Sequence, residues 1–113
     1  MTKVLINEPI TKEEAREAIR NSDISDAAVM DLISAARGAA ENYTSIDIAE
    51  YLITADDGTE STSGYVPVNV PREIKVALYW YIVNQFEMVS ATDWISAFYA
   101  MLYPWKNLGG DSV

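Results

Sequence analysis

Residues 76–83 read Val-Ala-Leu-Tyr-Trp-Tyr-Ile-Val, eight apolar side chains in succession, and no other feature of the chain restricts its fold so tightly. A surface helix of a small domain carries one apolar stripe and one wet face, but this run is apolar all round. It lies inside two back-to-back helical patterns, residues 71–89 and 90–103. With the residues just after them, these hold nine of the twelve aromatic side chains and all three tryptophans, Trp80, Trp94 and Trp105. One small monomer has too little interior for that much apolar surface, so the surplus implies packing against copies of the same chain or against another protein.

Length sets the frame for the rest. A chain of 113 residues makes one domain, and a domain of that size hides roughly two-thirds of the surface its unfolded form exposes. The expectation is a single domain over residues 1–113, with a core spanning about 10–106, a flexible loop at about 54–70 and a flexible end at about 107–113. There is no cysteine and no histidine. Thiol nucleophiles, disulfides, imidazole bases, the usual zinc sets and haem ligation are therefore all excluded. No enzyme activity and no cofactor or metal is expected. Val4, Leu5 and Ile6 are too short an apolar stretch for a signal peptide, and no stretch approaches the roughly 20 residues that cross a bilayer. Eight basic against seventeen acidic residues give a formal charge of −9, the wrong sign for gripping phosphates. The acid is spread along the chain, as in a solvated surface or one that must not stick to DNA.

Local signals then place the elements. Thr11-Lys12-Glu13-Glu14 is a capping box that starts a short helix, which fades at the turn-forming Asn21-Ser22-Asp23. Ser25 or Asp23 caps a second helix, whose Val29, Leu32, Ile33, Ala36, Ala40 and Tyr43 fall on one face. Residues 44–53 fit a short helix capped by Thr44 with Asp47 at the third position, and also fit a strand; the helix is the expectation carried forward. Residues 54–64 are polar and acidic and read as a loop, running into the extended 65–70. Pro71 suits the first position of a third helix, Ser90 with Asp93 restarts a fourth, and Pro104 ends it. The sum is an all-α bundle of four to five helices, with a long acidic loop between the second and third main helices.

The candidate sites are weak as chemistry. Asp56-Asp57-Gly58-Thr59-Glu60 lacks the ligand spacing of a calcium loop and reads as a solvated turn. Glu13, Glu14 and Glu17 crowd the start of a helix, where acid favours the macrodipole. Tyrosine and tryptophan at residues 79–105 lack the basic groove that base stacking requires, which leaves core and interface anchors as their reading.

Ile10-Thr11-Lys12-Glu13-Glu14-Ala15-Arg16, Leu32-Ile33-Ser34-Ala35-Ala36-Arg37 with Glu41-Asn42-Tyr43, Val70-Pro71-Arg72-Glu73-Ile74-Lys75-Val76-Ala77-Leu78 and Ala97-Phe98 through Trp105 form a layout over most of residues 10–106. It resembles the gp6-like head-tail connector (adaptor) proteins of tailed bacteriophages. The resemblance implies a structural protein of the virion neck in a phage or prophage, assembled in the bacterial cytoplasm. Identical subunits would form a ring that docks on the portal protein, extends the DNA channel, lets DNA pass without specific binding, and offers a platform for a stopper or tail-completion protein. No membrane is involved. On that reading Trp80, Tyr81, Trp94 and Phe98 are subunit-interface candidates. Tyr103, Trp105, Lys106 and Leu108 are portal-contact candidates, and Asp56, Asp57 and Glu60 sit on a channel or assembly loop that orders on assembly. The alternative is an acidic helical protein-binding module, a regulator or DNA-mimic inhibitor.

Overall fold

The computed structural model describes residues 1–20, 23–88 and 91–106. Among these residues the chain forms β1 (Thr2–Asn7), α1 (Lys12–Ile19), α2 (Asp26–Thr44), β2 (Glu50–Thr54), β3 (Glu60–Gly64), α3 (Arg72–Phe86) and α4 (Ala91–Leu102), with 3-10 turns at Pro67–Asn69 and Tyr103–Trp105. The all-α expectation is therefore corrected to a mixed fold, four helices plus a three-stranded antiparallel sheet ordered β1-β2-β3.

α1 and α2 form where the local signals placed them, and α3 begins one residue later than expected, with Pro71 as its N-cap and not its first residue. Thr11 caps α1 reciprocally: its hydroxyl accepts the Glu14 N–H at 3.1 Å, and Glu14 accepts the Thr11 N–H at 2.8 Å. Ser25, not Asp23, caps α2 by accepting the Ala28 N–H. Val29, Ile33, Ala36 and Ala40 of the α2 stripe are buried, with Leu32 and Tyr43 packed at the margin. They meet Ile74, Ala77, Leu78 and Ile82 of α3, and the buried Phe98 and Leu102 of α4 close the same core. The start of α4 expected at Ser90 lies outside the described residues.

The sheet replaces both the short helix expected at 44–53 and the loop expected at 54–64. Thr44 does not cap a new helix; it ends α2, donating its hydroxyl to the Ala40 carbonyl at 2.7 Å. Ser45 then turns left-handed at φ 61° and stops the helix. Asp47, the supposed third-position cap, instead accepts from Lys3 Nζ and from the Ser63 hydroxyl, each at 2.6 Å. It thereby ties the end of α2 to both outer strands. β2 and β3 are joined through Ala55–Thr59, where Gly58 takes φ 87° and the Thr59 N–H donates to the Asp57 carboxylate. Gly64 ends β3 at φ 89°, with the Ala49 carbonyl so near that any side chain would collide with it. A mixed arrangement thus arises from one hairpin and one strand supplied from far upstream.

The two parts differ in how they are packed. The strands touch each other extensively and the helices only sparingly, so the sheet extends from the helical body. The radius of gyration is 14.9 Å and the extents are 45 × 32 × 21 Å. About 13 Å is usual for a compact chain of this length, so the molecule is elongated.

Candidate functional site

The eight-residue apolar run is divided by helical geometry. Ala77, Leu78 and Ile82 face the core, Tyr79, Tyr81 and Val83 lie at the margin, and Val76 and Trp80 are left outside, 46% and 39% exposed. The Trp80 indole makes one hydrogen bond, and its main chain receives another. Its indole N–H donates to the Trp94 carbonyl at 3.0 Å, and its own carbonyl accepts from Asn84 at 2.8 Å. Two shallow apolar depressions border this face and share Val76. One of about 480 Å³ runs past Ala18, Tyr79, Trp80 and Val83. The other, about 530 Å³, lies between Arg72, Glu73 and Met101.

The other interface candidates are placed differently. Trp94 and Phe98 are buried within the monomer, and both pack on Tyr81 at ring separations of 5.1 Å, Trp94 edge-on. Their side chains belong to the core of the monomer. Tyr81 is half-buried between them, where burial raises its phenol pKa. Tyr103 is exposed on the last 3-10 turn, Trp105 is half-buried, and Lys106 lies over the Tyr43 ring, 4.9 Å from its centroid. Leu108 lies outside the described residues. Asp56 and Asp57 occupy the tip of the β2–β3 hairpin and Glu60 opens β3, all three exposed. The tip is ordered by its own hydrogen bonds and by the N-terminal amine, which pairs with Asp56.

Two polar clusters join residues that no local pattern connects. Arg37 of α2 reaches Glu8 at 2.7 Å, Glu41 at 3.3 Å, the Tyr51 hydroxyl at 3.1 Å and Ser34 at 3.0 Å. Tyr51 of β2 donates in turn to Glu41, whose carboxylate also accepts the Ile48 N–H. Burial first, and the Glu41 carboxylate second, push the Tyr51 phenol up to about 12. This is a latch that joins the sheet to α2. The second cluster ties α1 to α3, with Glu14 accepting from Lys75 at 3.0 Å and from the Tyr79 hydroxyl at 3.1 Å. Burial works against the Glu14 charge, but the Thr11 N–H, Lys75 and Tyr79 outweigh it and hold the carboxyl below its ordinary value. A depression of about 400 Å³ beside it is lined by Glu14, Glu17, Ala18, Arg20 and Tyr79. Glu14 is bound by three donors, and Glu17 is a second acid on the wall of the depression.

Among the described residues no cluster of acids could hold a metal ion, and no helix is long and apolar enough to cross a membrane. No protein-family model, curated protein or solved structure matches the chain.

Proposed function

We propose that this chain is a structural adaptor of a phage or prophage neck, a subunit that docks with its neighbours on a portal ring around the DNA channel. The observation that carries the reading is the open face of α3. There Val76 and Trp80 stand half-exposed between two apolar depressions, with the Trp80 indole N–H bonded to the Trp94 carbonyl. A half-exposed tryptophan within an apolar surface is the kind of residue that anchors protein interfaces. The layout of residues 10–106 described above supplies the class of partner. A net charge of −9 suits a channel wall past which DNA moves without binding.

The reading is tested by mixing the chain with portal protein and following co-sedimentation. Replacing Val76 with Glu and Trp80 with Ala places a charge in the anchor and removes its ring. Wild type should travel with the portal and the double variant should not, while circular dichroism of the two agrees. Equal binding by both, or by neither, overturns the proposal.

A further inference from the structure

We propose that two copies of this chain join through the edge of β1, pairing antiparallel about Val4 into a continuous six-stranded sheet. The inference goes beyond the adaptor reading and does not depend on it. β1 and β3 are the two edges of the sheet, and an uncovered edge presents backbone donors and acceptors to any strand that can reach it. The two edges differ in character. β3 reads Glu-Ser-Thr-Ser-Gly, while β1 is exposed over all six residues and carries Val4, Leu5 and Ile6 in a row. Val4, with half of its surface in solvent, is the most exposed of the three.

Geometry selects the occupant. Directly opposed residues in an antiparallel pair lie on the same face, so a strand pairing with itself about a twofold axis must centre on a residue. A bulge between Leu5 and Asn7 breaks the regular strand. The regular stretch ahead of the bulge is Thr2–Leu5, whose midpoint falls between Lys3 and Val4; centring on Lys3 would set two like charges face to face, which leaves Val4. Val4 then opposes the second copy's Val4, and Lys3 opposes its Leu5. Because Val4 already lies opposite Leu52 of β2, one face acquires an unbroken apolar row, Leu52-Val4-Val4-Leu52. Pairing β1 with a second copy's β3 would set Val4 and Leu5 against serine and threonine instead, and β3 with itself would match no apolar pair. Charge points the same way. The chain carries −9 overall, yet residues 1–7 contain no acid and only one charged side chain, Lys3, which in this register does not meet its own copy. The contact is about 20 Å long and buries less than the roughly 800 Å² per partner of a standard interface, so the dimer is weak.

The absence of native cysteine makes the test clean. Single variants Val4→Cys and Ser61→Cys place one thiol on each exposed edge, and their oxidation to covalent dimers is compared at several hundred micromolar. Pre-association at β1 should make Val4→Cys cross-link at least about ten-fold faster than Ser61→Cys, because the paired thiols share a raised effective concentration. Equal rates, or a faster Ser61→Cys, overturn the proposal. A second variant needs no thiol: Val4→Lys would set two like charges face to face. Sedimentation should then show a monomer–dimer equilibrium for wild type and monomer alone for Val4→Lys, with unchanged circular dichroism. A wild type that stays monomeric at that concentration also overturns it.

Discussion

The helical body and the sheet solve the problem of apolar surface in opposite ways. In the body, Ile33, Ile74, Leu78, Ile82, Phe98 and Leu102 are sealed from water and touch side chains from several helices. In the sheet, β1 is exposed from end to end, and only Tyr51 of β2 is buried. Three strands with so little covered surface are marginal alone, so the sheet depends on the Arg37–Glu41–Tyr51 latch and on the Lys3–Asp47–Ser63 bridge. The lesson is one of divided labour: the body holds the fold, and the sheet, with the α3 face, is offered outward.

The contrast can be broken most forcefully in the body. Phe98→Ala empties a fully buried site on α4 and should cost about 3–5 kcal/mol in urea or thermal unfolding. Next comes the latch. Arg37→Met removes the cation that neutralises the Glu8 and Glu41 carboxylates at a partly buried site, leaving Glu41 with Tyr51 and the Ile48 N–H, with an expected loss of about 2–3 kcal/mol after allowing for its residual solvent access. Hydrogen exchange in that variant should rise first in β1 and β2, before α3 is affected.

Titration separates the two parts more gently. Asp47, where Lys3 and Ser63 outweigh the opposing effect of burial, and Glu14 both titrate below their ordinary values of 3.8 and 4.5. A depressed carboxyl stabilises the fold fully above the unfolded value, and that contribution is lost as pH falls through the folded one. Melts between pH 5 and pH 2 should therefore show an acid-side loss that Glu14→Gln reduces for the body and Asp47→Asn for the sheet. On the alkaline side, burial and neighbouring carboxylates push Tyr51 and Tyr79 up to about 12 from 10. Their neutral forms stabilise the fold below pH 10, and this stabilisation disappears as pH climbs from 10 towards 12. The smallest expected effect is Val4→Ala on the exposed strand, within about 0.5 kcal/mol at monomer concentration.

What could be read in advance follows the same division. Thr11 with Glu14, the Val29-to-Tyr43 stripe and Pro71 are local signals, decided within a few residues, and the body's helices obey them. The sheet is decided at a distance. Lys3, Val4 and Leu5 find their partners in Ile53, Leu52 and Tyr51, with two helices between them in sequence. β3 is too polar to show any alternation at all. The Asp56-Asp57-Gly58 turn between a Tyr-Leu-Ile run and a Glu-Ser-Thr-Ser run was the available hairpin signal. For the site, periodicity separates Val76 and Trp80 from Ala77, Leu78 and Ile82. That Trp94 and Phe98 turn inward depends instead on how α4 lies against α3 and Tyr81, which no local pattern encodes.

Native-state hydrogen exchange, at a concentration that keeps the chain monomeric, tests the division of labour most directly. Amides from Ala77 to Ile82 should exchange only through global unfolding, and those of Lys3 to Leu5 through a local opening of the sheet at far lower free energy. Equal protection of the two segments would contradict a self-sufficient helical body with a latched, outward-facing sheet.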